Sequence, residues 1–208
     1  MDNGRTWAAG GTVPSLRSHR RMHHASHRTM QPANKRPVIT AMSQAQVPQV
    51  KVFLRAMWAE HFGAEPDPFV REYFNDPATL SDLDDLDAHY FGARGTALVA
   101  LDGQQLVGTG ALARLDDGTA ELRRLFLLPG YRGMGIGSAI TVHLLAFARH
   151  HGYRIIRLGS HRKLHASHRL YERFGFKPIP AYDGNTSDLV LYFQLDLDQP
   201  KAQPADPW

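Results

Sequence analysis

The sequence predicts a mixed α/β domain in which a mostly antiparallel sheet carries helices on both faces. Three observations lead there. Strand-like and helix-like patterns interleave in the order β, α, α, β, β, β, α, β, α, followed by one or two strands, which is the pattern of a sheet covered on both sides. Three consecutive strand patterns are joined by Asp102-Gly103 and Asp116-Asp117-Gly118, residues suited to tight turns between antiparallel neighbours. Finally, Leu125-Phe-Leu-Leu-Pro-Gly-Tyr-Arg-Gly-Met-Gly-Ile-Gly-Ser138 hands an apolar strand to a helix through alternating glycines.

Each element has its own signal. Pro37 to Thr40 can open a first strand, and Val47, Val50, Leu54, Met57 and Trp58 recur at helical spacing, with Pro48 tolerated in a first turn. Leu80, Leu83, Leu86 and Tyr90, set among Asp82, Asp84, Asp85 and Asp87, predict a second helix. Strands follow at 96–101, 105–115 and 119–128. After the glycines, Ile140, Leu144, Leu145 and Phe147 describe a third helix stopped at Gly152. A short strand over 154–158, a fourth helix over 164–174 ending at Gly175, and a strand over 189–197 complete the order.

The chain of 208 residues is 43% apolar, enough for one domain with appendages, expected at 37–197. The net charge of +4 is uneven: residues 1–36 hold seven Lys/Arg against Asp2 alone, leaving −2 for the rest. With four histidines and little apolar periodicity, that basic N-terminal tail is expected to be disordered, as is the Pro-rich segment 198–208. The tail's composition favours a dispensable leader over a nucleic-acid arm, so nucleic acid is not an expected partner, and Met22, Met30 and Met42 offer internal starts. The absence of cysteine excludes disulfides, thiolate metal sites and cysteine nucleophiles. No stretch has the length of a membrane span, so a cytoplasmic location is the expectation.

Glycine loses the most conformational freedom on folding, so Gly133, Gly135 and Gly137 require a reason. A helix start presents unpaired N–H groups and partial positive charge, and glycines before it let an anion approach the backbone. Two phosphate motifs are excluded: there is no Gly-Lys-Ser/Thr, and Ser138 and Ile140 stand where G-x-G-x-x-G needs its last glycine.

Arg132-Gly-Met-Gly-Ile-Gly137 resembles the Q/R-x-x-G-x-G/A signature of the GNAT superfamily of acyl-CoA-dependent N-acetyltransferases. Glu121 to Pro129 looks like that family's fourth strand, and Leu170-Tyr171-Glu-Arg-Phe-Gly175-Phe176 is similar to its L-Y-x-x-x-G-F segment. The resemblance covers roughly residues 37 to 197, with Leu164 and Ser167 standing where the family often has Asn and Ala. It implies a GNAT-like fold with acetyl-CoA as co-substrate and no metal. The fourth strand would splay near Phe126, Leu127 and Leu128 to free backbone for pantetheine, a β-bulge being the usual device. The amides of Arg132, Gly133, Met134, Gly135, Ile136, Gly137 and Ser138 would hold the pyrophosphate. Arg132 and Lys163 are candidates for the 3′-phosphate.

The implied reaction moves acetyl to a primary amine by direct attack on the thioester. Making a primary amine neutral at pH 7 costs about 4.6 kcal/mol, so a base is needed. Glu121 is the candidate, acting directly or through water; its plain alternative is an ion pair with Arg123 on the same strand face. By resemblance Tyr171 would protonate the departing thiolate; its alternative is a core aromatic beside Leu170 and Phe174. His161, His165 and His168 lie among Arg162, Lys163 and Arg169, a poor setting for a cation. Between Glu60 and Asp87 stand nine Asp/Glu against Arg71 alone, which leans the acceptor towards a cationic amine, although a solvated helix face explains the same run. A non-catalytic acyl-CoA-binding module is the other reading, and a homodimer is compatible with either.

Overall fold

The computed structural model describes residues 36–63, 71, 76–185 and 187–198. The basic tail and the Pro-rich terminus therefore lie outside the described residues except for Arg36 and Asp198. The elements are β1 (Val38–Ala41), α1 (Val47–Phe62), β2 (Thr96–Asp102), β3 (Gln105–Arg114), β4 (Thr119–Leu127), α2 (Ile136–His150), β5 (Ile155–His161), α3 (His165–Phe174), β6 (Lys177–Ile179) and β7 (Val190–Asp196). They build one seven-stranded sheet in the order β1-β2-β3-β4-β5-β7-β6. Every pairing is antiparallel except β4 with β5.

Helices cover both faces, as the sequence predicts. Ile140 and Leu144 of α2 pack with Tyr171 and Phe174 of α3 against Leu122, Ile156 and Leu158. On the other face Val50, Leu54 and Trp58 of α1 pack with Leu83 and Tyr90 against Val99 and Ala111. The alternation of β3 is overwritten, since nearly all of its side chains are buried between these layers.

The expected second helix is corrected. Its apolar residues are buried, but Pro77–Leu83 is a 3₁₀ segment and Asp87–Phe91 a single π turn. Leu80, Leu83 and Leu86 are spaced by three, the 3₁₀ repeat. The aspartates also compete with a continuous α-helix: the Asp76 carboxylate accepts from the Ala78 amide at 2.8 Å and that of Asp85 from the Ala88 amide at 2.9 Å.

The decisive irregularity lies in β4. Thr109 of β3 pairs with Phe126 while Ala111 pairs with Arg123, so Gly110 opposes two residues, Arg124 and Leu125, in a β-bulge. Arg124 has φ 57°, a left-handed conformation costing an ordinary side chain about 1 kcal/mol or more. Two contacts hold it there. The Thr109 hydroxyl donates to the Arg124 carbonyl at 2.7 Å, and the Arg124 guanidinium reaches back to the Asp82 carboxylate and the Thr79 carbonyl. This ion pair is largely buried, with side chains 10% and 14% exposed, and Asp82 also accepts from the Tyr90 hydroxyl.

Replacing Asp82 with alanine takes the carboxylate from a buried guanidinium and a buried phenol together. Urea unfolding of Asp82→Ala should therefore show a loss of about 3 kcal/mol; a loss under about 1 kcal/mol would mean that the pair does not hold the bulge.

Candidate active site

The parallel pairing of β4 and β5 is brief. It joins Thr119, Ala120 and Glu121 to Ile155, Ile156 and Arg157. Beyond that point β4 runs on to Leu127 and β5 to His161 without pairing to each other, while β5 stays paired to β7. The strands thus splay, and a cavity of about 610 Å³ opens in the gap. Alternation assigns its two walls. Leu122, Ile156 and Leu158 belong to the core under α2 and α3, so Ser160 continues that row, joined in the cavity wall by Leu164, Ser167 and Tyr171. Glu121, Arg123 and Phe126 face the other way, with Trp58 and Phe62 of α1 beside them.

The glycine turn lies at the end of β4. Gly133 and Gly135 have φ of 77° and 81°, conformations L side chains rarely adopt. Gly135 is the N-cap of α2, and neither a side-chain cap nor an acidic residue serves that first turn. The first helical bond runs from the Ala139 amide to the Gly135 carbonyl at 2.9 Å. The amides of Ile136, Gly137 and Ser138 precede it and so have no i−4 partner within the helix. Gly137 answers to packing: a Cβ there would stand 3.3 Å from Leu127 Cδ1. Ile136 is fully buried while Met134 is 48% exposed.

Around this turn several expected ligand-binding groups are already engaged. The Arg132 guanidinium makes a bidentate pair with Glu60 of α1 at 3.0 and 2.6 Å and donates to the Leu127 carbonyl at 3.1 Å. Arg132 in turn holds the Glu60 carboxyl below its usual range. The Arg132 side chain thus anchors the loop, whereas Lys163, the other expected 3′-phosphate cation, makes no ion pair among the described residues. Leu128 donates its amide to Val107 and accepts from the Tyr131 amide, so its backbone is tied on both sides, and the Leu127 carbonyl is taken by Arg132; of the three expected strand residues only Phe126 lines the cavity.

Glu121 and Tyr171 both line the cavity. The Glu121 carboxylate pairs with Arg123 Nε and accepts from the Tyr182 hydroxyl at 2.5 Å. Tyr182 lies 61 residues away in sequence, and nothing local signals it. Burial and the Glu121 carboxylate both raise the Tyr182 phenol pKa. Tyr171 is 5% exposed; burial raises its pKa well above the ordinary phenol range, against a smaller opposing effect from a hydrogen bond with Ser167. Its phenol therefore keeps its proton through neutral and mildly alkaline pH, as a general acid must.

The histidines divide. His161 lines the cavity, and its Nδ1 accepts from the Lys163 amide at 3.2 Å, which leaves Nε2 carrying the proton of the neutral ring. Burial, followed by the charge of His165, lowers the His168 pKa. Among the described residues no group of three His, Asp or Glu is placed to hold a metal ion, and no helix is long and apolar enough to cross a membrane. Much of the acidic run serves the fold: Glu60, Asp82 and Asp84 are ion-paired, and Asp76 and Asp85 cap turns.

The chain belongs to the acetyltransferase (GNAT) family, which it matches over residues 52–176. It is similar to the N-acetylaspartate synthetase of Danio rerio, 34% identical over 118 residues covering 56% of this chain and 40% of that protein. An uncharacterised N-acetyltransferase of Mycobacterium tuberculosis is 38% identical over 84 residues, 40% of this chain and 54% of that protein. The chain thus spans only about half, or less, of these curated relatives. Among solved structures, a GNAT-family acetyltransferase from Staphylococcus aureus superposes with a TM-score of 0.66 at 20% identity, covering 77% of this chain and 99% of that one. The PaiA N-acetyltransferase of Thermoplasma acidophilum, solved in complex with coenzyme A, gives 0.64 at 19% identity over 78% and 99%. Identities this low establish the fold.

The loop geometry gives a direct test. Gly135→Ala puts a side chain at φ 81° and should lower unfolding stability by about 1 kcal/mol. Gly130→Ala, with nothing within 4 Å of the added carbon, should be near neutral. Equal effects in urea denaturation would show that the left-handed turn imposes no such demand.

Proposed function

We propose that the chain is an acetyl-CoA-dependent N-acetyltransferase acting on a primary amine of a small molecule or peptide. The observation that carries this reading is a single cavity, at the splay of β4 and β5, with Glu121 and Tyr171 in its walls and the glycine turn at the end of β4. Bound acetyl-CoA would supply a thioester whose carbonyl carbon takes the amine's lone pair as the C–S bond breaks. The amides at the start of α2, which have no partner within the helix, suit a pyrophosphate, and Phe126 and Leu127 would border the path of the pantetheine arm.

Glu121 accepts the ammonium proton, directly or through a water; each carboxylate oxygen retains a second lone pair beyond its bonds to Arg123 and Tyr182. Tyr171 gives its proton to the thiolate as that group departs. Nitrogen loses two protons between ammonium and amide: the first passes to Glu121 before attack and on to solvent, and the second leaves the tetrahedral adduct to restore the Tyr171 phenol, which has given its own proton to sulfur. A cytoplasmic location suits a chain without cysteine that consumes acetyl-CoA.

For the acceptor, aspartate heads the panel because relatives are named N-acetylaspartate synthetases. Polyamines and amino sugars follow as the cationic amines that the acidic run suggested.

Calorimetry should detect acetyl-CoA binding that Gly135→Glu abolishes, since a carboxylate would then project into the pyrophosphate cradle. Tyr171→Phe should lower kcat by roughly 10²-fold at unchanged acetyl-CoA affinity. Acetyl-CoA binding that Gly135→Glu abolishes, with no amine-dependent thiol release from the wild type, would leave only a non-catalytic acyl-CoA-binding module.

The pH profile follows from the raised Tyr171 pKa. The rate should climb with pH as the acceptor amine deprotonates, with no alkaline fall below about pH 10. A falling limb centred below pH 9 that disappears in Tyr171→Phe would contradict a proton held above the ordinary phenol range.

A further inference from the structure

Ser160 lies in β5 three residues past Arg157, the last β5 residue paired with β4. It follows Ile156 and Leu158 in the row that faces α3, and it lines the splayed cavity together with Leu164, Ser167 and Tyr171. The residue is only 6% exposed, yet its Oγ has no hydrogen-bond partner among the described residues. A buried hydroxyl left in this way is destabilising unless something completes it.

A second feature of the same wall points to what does. Leu164, at the N-cap of α3, makes no side-chain capping bond. It stands where the related signature often has an asparagine, so this wall offers an aliphatic side chain where an amide donor is usual. Ser160 restores a donor to that wall.

We propose that Ser160 is a binding residue for the acyl-pantetheine arm, its hydroxyl donating to a carbonyl oxygen of that arm in place of the amide that Leu164 cannot supply. The inference rests on the transferase reading above. Two kinds of carbonyl fit this chemistry: the amide carbonyls that free and acetylated coenzyme A share, and the thioester carbonyl that only acetyl-CoA has.

The test uses the full chain. Acetyl-CoA and free coenzyme A are titrated calorimetrically into the wild type, Ser160→Ala and Ser160→Thr, and each protein is melted without ligand. Ser160→Ala should bind acetyl-CoA roughly three- to tenfold more weakly, the range of one neutral hydrogen bond, with an unchanged or higher melting midpoint. Ser160→Thr, which keeps the hydroxyl, should restore the affinity. Equal weakening for free coenzyme A assigns the contact to an amide carbonyl, and weakening confined to acetyl-CoA assigns it to the thioester. Unchanged affinity for both ligands in Ser160→Ala overturns the proposal, as does a lowered midpoint with weakened binding that Ser160→Thr fails to restore. If the wild type does not bind acetyl-CoA, the transferase reading itself fails, an outcome distinct from normal wild-type binding that Ser160→Ala leaves intact.

Discussion

The buried pair between Arg124 and Asp82 is the constraint on which the rest of the structure depends. It holds a non-glycine residue in a left-handed conformation in the middle of a sheet, with Thr109 securing the same residue's carbonyl from the neighbouring strand. The extra residue this bulge takes up turns β4 away from β5 after only three paired positions. Had β4 stayed regular, the parallel pairing could have continued along β5 and closed the gap with a hydrogen-bond ladder. A defect in one strand thereby becomes a cavity with one wall under α1 and one under α3.

The glycine turn completes the same arrangement. Gly133 and Gly135 supply left-handed turns, Gly137 lets the start of α2 lie close to Leu127, and Arg132 ties the loop to Glu60 of α1. The Arg132 side chain holds the loop through Glu60 and the Leu127 carbonyl, while three helix-start amides have no partner within α2. Such a division suits an anion site, because the backbone donors are fixed before the ligand arrives.

Local chemistry was legible in the sequence and long-range pairing was not. The hairpin turns, the caps at Gly152 and Gly175, the glycine loop and the L-Y-x-x-x-G-F segment are each written within a few residues, and reading them gave the sheet and the proposed site. The bulge was expected from resemblance, but its seat at Arg124 was not visible: an arginine with positive φ carries no local signal, and its partner Asp82 lies 42 residues away. Tyr182, which bonds Glu121, and Ser160 escaped for the same reason. Gly159-Ser160-His161 reads as loop sequence, and only pairing with β7 makes it strand. The stripe Leu80, Leu83, Leu86 and Tyr90 predicts one helix where the structure has a 3₁₀ segment and a π turn, although the three-residue spacing of the leucines is itself the 3₁₀ repeat.

The most direct measurement is amide hydrogen exchange with and without acetyl-CoA. If the splay of β4 and β5 is the acyl-CoA site, added ligand should slow exchange in Leu125 to Leu127, in Gly133 to Ser138 and in the last residues of β5, leaving β1 and β2 unchanged. Protection confined to other elements, or none at saturating ligand, would contradict it.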